Sequence, residues 1–144
     1  MTSDVKLVLD TDVVVAAMRS PTGASAEILR LARQGRLTLL LSVALALEYE
    51  TVCTRAEHRL AADLSEKEVN LFVDAMIALA EPVTMHFLWR PQLRDASDEM
   101  VLETAINGDA DALVTFNAKD FGEVPGHFGM DLLLPREVIM RIKR

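Results

Sequence analysis

The chain has 144 residues, of which 51% are hydrophobic and 26% charged, and its formal net charge is −7. This length and composition predict one globular domain over residues 1–144 with a core of its own. The negative charge argues against a protein that coats nucleic acid through bulk electrostatics, although an enzyme can still grip nucleic acid locally. The single cysteine, Cys53, excludes an intramolecular disulfide. No segment has the pattern of a signal peptide or the length of a membrane span, so we expect a cytoplasmic protein with no membrane partner.

Short apolar runs alternate with helical patterns along the chain, which predicts an α/β fold with a parallel sheet. The predicted strands are residues 5–9, 37–41, 82–86, 112–115 and 132–134. The predicted helices are residues 24–34, 42–54, 65–79, 98–107 and a last helix that starts at 135. Ser65 and Glu68 have the spacing of a capping box, and Pro135 suits the first turn of a helix. Residues 89–96 are predicted to form a loop.

Two carboxylates, Asp10 and Asp12, interrupt the apolar run KLVLDTDVVVAAM just after the first predicted strand. Charges in such a run are unfavourable unless they are paired, cap a helix or hold a cation. Helix capping by one of them, or by Thr11, explains one polar side chain but explains two less well. Asp120 follows the fourth predicted strand, and ligands of open α/β sheets bind beyond the carboxyl ends of the strands. These acids are therefore candidates for one site.

Two further acids lie on predicted helices. Asp98 falls near the middle of the apolar face of its helix, whereas Glu99 and Glu103 are expected on the solvated side. The alternative role for Asp98 is to stabilise the helix dipole near the N-terminus. Glu48 has mostly apolar neighbours at helical spacing, and periodicity alone prefers it to Glu50 only slightly.

Gathered carboxylates oppose one another's ionisation unless a cation offsets their charge. The donors are hard oxygens, and no His or Cys stands at zinc spacing, so Mg²⁺ or Mn²⁺ is the expected metal. Such a site can lower the pKa of a water and stabilise charge on a phosphoryl group under in-line attack. The carboxylates therefore point to metal-assisted chemistry on a phosphoryl group.

Four stretches in this order resemble the PIN-domain nucleases, in the branch related to VapC-type toxins of toxin–antitoxin systems. They are VLDTDVVVAAM, LSVALALEYETV, RDASDEMVLETAINGDADALVTFNAKDF and LLLPREVIM, and the resemblance covers about residues 5–140. It implies a three-layer PIN-like fold with a five-stranded parallel sheet flanked by helices. It also implies an Mg²⁺- or Mn²⁺-dependent endoribonuclease that cleaves RNA, often as a homodimer, with a possible antitoxin protein as partner. The catalytic, metal-binding acids of the family fall on Asp10, Glu48, Asp98 and Asp120.

The chain departs from the family pattern at two positions. Asp12 stands where relatives usually have Asn or Ser, so a fifth acid can enter the site, and Asn117 stands where relatives often have Asp. Asn117 then becomes a candidate contact for a water on the metal. Thr115, at the end of the fourth strand, is expected to orient ligands by hydrogen bonding. Lys119 adjoins Asp120 and is the best-placed contact for a substrate phosphate.

Two other functions compete with this reading. The stretch Asp10-Thr11-Asp12 also fits the start of a haloacid-dehalogenase-like phosphatase, with Asp10 as nucleophile, and Ser42 can imitate the later Ser or Thr of that family. No convincing Lys and no suitable late acidic pair follow, however. A non-catalytic PIN-like domain that binds only RNA or a partner has no physical need to keep the acids. Trp89, with Phe87 and Leu88, is then a possible partner-facing patch, although core or dimer packing is the simpler role.

Overall fold

The computed structural model describes residues 5–86 and 92–143. The predicted patch around Trp89 and the first part of the predicted loop lie outside these residues. No helix in the described ranges is long and apolar enough to cross a membrane.

A five-stranded parallel sheet forms the centre of the protein, with the strand order β3-β2-β1-β4-β5. The strands are β1 (Lys6–Leu9), β2 (Thr38–Leu41), β3 (Glu81–Pro82), β4 (Ala112–Val114) and β5 (Asp131–Leu133). The flanking helices are α1 (Thr11–Arg19), α2 (Ala24–Arg33), α3 (Val43–Cys53), α4 (Ala56–Ala61), α5 (Glu66–Leu79), α6 (Ala96–Asn107), α7 (Ala118–Phe121), α8 (Val124–His127) and α9 (Pro135–Ile142). The predicted α/β fold with a five-stranded parallel sheet flanked by helices is confirmed.

Local sequence signals place most of the helix ends. The Ser65 hydroxyl and the Glu68 carboxylate form both bonds of the predicted capping box, and Pro135 opens α9. Ser42 caps α3 by accepting a hydrogen bond from the Leu45 amide at 3.2 Å. Helix α6 begins two residues before the predicted start, because the side chain of Asp95 accepts from the amides of its first turn.

The third strand is much shorter than the predicted 82–86. Only Glu81–Pro82 pairs with β2, and the last bond to that strand runs from the Val83 amide to the Leu41 carbonyl at 2.9 Å. Pro82 has no N–H to donate, which suits an edge strand. The His86 amide instead donates to the Asn107 side chain at the end of α6, at 2.9 Å. The chain therefore leaves the sheet early and turns towards α6.

The central strands are buried on both faces, as is typical of parallel sheets covered by helices. Leu7, Val8 and Leu9 of β1 are each at most 1% exposed. The strand order reverses at β1, since the chain moves outwards from β1 through β2 to β3 and then returns to the other side of β1 for β4. In an open α/β sheet this switch point is where a crevice forms between strand ends. The fold therefore predicts a site beyond the carboxyl ends of β1 and β4.

Candidate active site at the carboxyl ends of β1 and β4

Asp10 and Thr115 leave β1 and β4 side by side. Leu9 pairs with Val114 in the ladder, and the Asp10 amide extends the pairing with a 2.9 Å bond to the Val114 carbonyl. The Thr115 hydroxyl donates to Oδ2 of Asp10 at 2.7 Å. Both side chains are buried, so the ladder and this bond fix the position of the carboxylate.

Asp10 also caps the first helix, because its Oδ1 accepts from the Thr11 amide at 2.7 Å. Capping was one of the alternatives for this residue, and it uses only one of the two carboxylate oxygens. Burial raises the pKa of Asp10 most strongly, the hydrogen bonds from Thr115 and Thr11 oppose that rise, and the charge of Asp120 adds to it. Hydrogen bonds to both oxygens therefore fix the position of the carboxylate, whereas burial disfavours its charged form.

Asp12 holds the loop that follows β4. Its Oδ2 accepts from the Phe116 amide at 3.1 Å and from the side-chain amide of Asn117 at 3.0 Å. Its Oδ1 is buried and has no hydrogen-bond partner among the described residues. Burial, and after it the charge of Asp10, raises the pKa of Asp12 to about 6. One oxygen of Asp12 thus holds the loop, whereas the other is a buried acceptor without a partner among the described residues, which is unusual in a folded protein.

Asp98 lies in the first turn of α6, within the electrostatic field of the other acids. Its pKa is raised to about 6, first by burial and then by the charges of Asp10, Asp95, Asp120 and Asp12 in that order. Asp120 lies on α7, is exposed, and raises the pKa of both Asp10 and Asp98. The structure therefore brings together Asp10, Asp12, Asp98 and Asp120, which are called the acid cluster below.

Glu48 lies at the margin of the acid cluster. It is half-buried on α3, and its Oε1 accepts from the Ser97 hydroxyl at 3.1 Å, next to Asp98. Glu50, the alternative that the sequence left open, is exposed. A buried 2.8 Å hydrogen bond between the hydroxyls of Ser42 and Thr104 joins α3 to α6. The geometry therefore favours Glu48 over Glu50.

The expectation that Glu99 faces solvent is wrong. Its side chain is buried, and its Oε2 accepts from the Leu93 amide at 2.8 Å and from the Gln92 amide at 3.0 Å. Its Oε1 is also 3.0 Å from the Gln92 amide. The segment before α6 folds back over the first turn of the helix. It covers a face of the helix that the helical periodicity predicted to be exposed to solvent. Glu103 is half-buried as well, and burial followed by the charge of Glu99 raises its pKa.

Tyr49 supports the site and was not singled out from the sequence. Its ring is fully buried, and its hydroxyl donates to the carbonyl of Leu9, the residue before Asp10. Burial, then the charges of Asp10 and Cys53, raises the pKa of this phenol well above its usual value. A buried tyrosine needs a partner for its hydroxyl, but nothing in the sequence identifies that partner.

A polar cleft of about 520 Å³ opens beside the acid cluster. The charged residues that line it are Arg94, Asp95, Asp98, Lys119, Asp120 and Glu123. Lys119, the predicted phosphate contact, therefore lies in the same cleft as two members of the acid cluster. Arg94 was not singled out from the sequence.

The acid cluster suits a hard divalent cation by its donor chemistry. In residues 5–86 and 92–143, no three His, Cys, Asp or Glu side chains are close enough to form a ready-made metal cage. The cluster nevertheless offers carboxylate oxygens only, and the buried Oδ1 of Asp12 has no partner in the described chain. Mg²⁺ keeps several waters and takes few protein ligands, so it does not require a complete cage. We conclude that these residues fit such an ion.

Comparisons with known proteins place the chain in a family. A chain in the crystal structure of VapBC2 from Rickettsia felis, bound to a DNA fragment from their promoter, has a similar fold, with a TM-score of 0.60 and 17% sequence identity. The similarity covers 90% of this chain and 98% of that chain. No curated protein sequence matches. The family model of the PIN domain matches residues 6–119, which include the acid cluster's Asp10, Asp12 and Asp98. The chain belongs to the PIN domain family, the nuclease family that its sequence motifs resemble.

Proposed function

We propose that this protein is a metal-dependent endoribonuclease that hydrolyses RNA phosphodiester bonds. The observation that carries the proposal is the acid cluster at the switch point of a PIN domain, with a buried carboxylate oxygen of Asp12 left unpartnered. Carboxylates gathered in this way repel one another, which is unfavourable unless a cation offsets their charge. This cluster therefore has a physical reason to exist in an enzyme and none in a domain that only binds.

The residues of the cluster have separate roles in this proposal. Asp10, Glu48, Asp98 and Asp120 would hold Mg²⁺ or Mn²⁺, with Asp12 as a fifth acid beside them. When bound, the ion lowers the pKa of a water and stabilises charge on the phosphoryl group. Thr115 orients Asp10 through its 2.7 Å hydrogen bond. Asn117 positions Asp12 and, through it, the loop that leads to Asp120.

The phosphatase alternative has less support. In that reaction a carboxylate oxygen of Asp10 attacks phosphorus, and the site also needs a Lys and a late acidic pair, for which the sequence has no convincing candidates. The match to the PIN domain model also favours the nuclease.

We also propose that the protein is the toxin of a toxin–antitoxin pair and acts as a homodimer in the cytoplasm. The motifs that resemble VapC-type toxins support this role, and the similar fold of a chain in VapBC2 agrees with it. Inducible expression in a bacterial host tests the toxin role. We expect the wild-type chain to arrest growth and the Asp98→Asn variant to allow it, whereas equal growth with both contradicts the role.

Cleavage of a mixed RNA pool with Mn²⁺ tests the nuclease directly. We expect Asp98→Asn to lose at least about 10²- to 10⁴-fold in rate, because Asn keeps the shape of the side chain but removes a charge that holds the ion. The matched control is Asp74→Asn, an exposed acid of α5 outside the acid cluster, which should cleave at the wild-type rate. Full activity in Asp98→Asn, or release of phosphate from a small phosphoester without RNA cleavage, contradicts the proposal.

A further inference from the structure

Arg94 and Lys119 lie in the polar cleft on two separate elements. Arg94 lies just before α6, which supplies Asp98, and Lys119 is on α7, which supplies Asp120. Both cations are exposed. Within residues 5–86 and 92–143, neither side chain forms an ion pair or a hydrogen bond, although Asp95 and Glu123 line the same cleft. Two positive charges therefore remain available to a ligand beside the acid cluster.

Many other cations of the described chain are engaged. Those with a side-chain hydrogen bond or ion pair include Arg19, Arg30, Arg36, Arg59, Arg141 and Lys143. An unengaged arginine or lysine usually moves freely in water, and ordering it on binding is opposed by the loss of conformational entropy. A cation on a fixed backbone therefore loses less conformational entropy when it binds a ligand.

The backbone around Arg94 is fixed on both sides. The buried carboxylate of Glu99 holds the amides of Gln92 and Leu93, just before Arg94. Just after Arg94, the side chain of Asp95 accepts from the Ser97 amide at 2.7 Å and caps α6. Arg94 is thus an exposed cation on a backbone that is tied down at its neighbours.

Lys119 is fixed in a comparable way. It lies two residues before Phe121, which is 1% exposed and anchors α7 in the core. The loop before α7 is held by Asp12 through the Phe116 amide and the side chain of Asn117. Both cations of the cleft are therefore presented by backbone that is already in place before a ligand binds.

We propose that Arg94 and Lys119 both bind phosphates of the RNA strand beside the bond that is cut. This inference rests on the proposed nuclease function, since it identifies how the same site holds its substrate. The protein as a whole repels nucleic acid because of its net charge of −7, so contact must come from local cations. A cleft with two free cations next to the acid cluster meets that need, because the strand must pass there to be cut. Arg94 offers a planar fork to phosphate oxygens, and Lys119 offers a point charge.

The test measures how salt weakens binding of a labelled single-stranded RNA of about ten nucleotides, with chelator present so that no metal is involved. For single strands each phosphate contact contributes about 0.7 to the slope of log affinity against log salt concentration. We expect Arg94→Ala and Lys119→Ala each to reduce that slope by about 0.7, and the double variant to lose about 1.4. Arg94→Lys should keep most of the slope.

The matched control is Arg136→Ala, which removes an exposed, unengaged arginine of α9 that does not line the polar cleft. It should bind RNA with the wild-type slope, and melting curves of all variants should coincide. A wild-type slope in Arg94→Ala, or an equal loss in Arg136→Ala, overturns the inference. If RNA is cleaved while Arg94→Ala keeps its slope, only this inference is wrong. If the wild type neither binds nor cleaves RNA, the proposed function is wrong as well.

Discussion

Glu99→Gln and Asp98→Asn are neighbouring substitutions of nearly equal shape that should change stability in opposite directions. Each replaces one carboxylate oxygen by an amide group. At Glu99 the carboxylate accepts hydrogen bonds from the backbone amides of Gln92 and Leu93. At Asp98 the charge is opposed by Asp10, Asp12, Asp95 and Asp120.

The contacts of Glu99 set the size of its effect. A hydrogen bond to a charged group contributes about 1.5–3 kcal/mol net. Gln can keep its oxygen at the position of Oε2, which accepts from both amides, so each of these two bonds loses the charge of its acceptor and weakens by about 1 kcal/mol. The amide group of Gln then faces the N–H of Gln92, donor against donor. Relief of the repulsion between positions 99 and 103 returns only about 0.2–0.5 kcal/mol. The free energy of unfolding should therefore fall by about 1.5–3 kcal/mol in Glu99→Gln.

Urea denaturation with chelator present, near neutral pH, measures both variants. We expect the midpoint of Glu99→Gln to fall and that of Asp98→Asn to stay level or rise, because one repelling charge leaves the acid cluster. Glu103→Gln is the control, with a small change only. The reasoning is refuted if Glu99→Gln is as stable as the wild type, or if both neighbours shift in the same direction. With Mn²⁺, Glu99→Gln should retain far more RNA cleavage than Asp98→Asn.

Three further predictions concern the acid cluster. Mn²⁺ at a hundredfold excess over Kd should increase the free energy of unfolding of the wild type by about 2.7 kcal/mol, which raises its melting temperature, and chelator should reverse the gain. An unchanged melting temperature over millimolar Mn²⁺ contradicts the metal site. Thr115→Val should lower the free energy of unfolding, measured in urea, by about 1–3 kcal/mol, because it removes the hydroxyl that donates to Asp10 and accepts from the Asn117 amide. Thr115→Ser keeps that hydroxyl and should stay within about 1 kcal/mol of the wild type. The folded pKa of Asp98 is raised to about 6 from 3.8, so the folded state holds this proton more tightly and the repulsion develops as pH rises between those values. The gain in melting temperature from Asp98→Asn without metal should therefore be small at pH 4 and complete above pH 6, and a gain that is the same at both contradicts the assignment.

Much of the fold could be predicted because its signals are local. The capping box at Ser65, the proline that opens α9 and the apolar runs of the strands each depend on residues within one turn or one strand. The place of Asp10 at the end of β1 could be predicted for the same reason. From there, the general tendency of α/β sheets to bind ligands beyond strand ends was enough to expect acids of different strands in one place.

Other features depend on contacts between distant parts of the chain. Glu99 was expected in water because helix periodicity describes only the side that faces the sheet. The segment at Gln92 and Leu93 covers a second side of α6, and only the path of the chain decides that. The third strand was predicted too long for a similar reason, since the His86 amide finds its partner in Asn107, which is 21 residues away.

The sequence by itself determined where the five strands and the helices α2, α3, α5, α6 and α9 lie along the chain, and the residue types at the carboxyl ends of β1 and β4, since these follow from short-range hydrogen bonding and apolar spacing. Helices α1, α4, α7 and α8 were not among the predicted ones. Only the tertiary structure decided that one oxygen of Asp12 accepts a hydrogen bond from the loop after β4, and that the Tyr49 hydroxyl donates to the end of β1. It also decided that Arg94 lines the same cleft as Asp98 and Asp120. Hydrogen bonds and electrostatic fields act over a few ångströms in space, and the sequence does not state which distant residues come within that range.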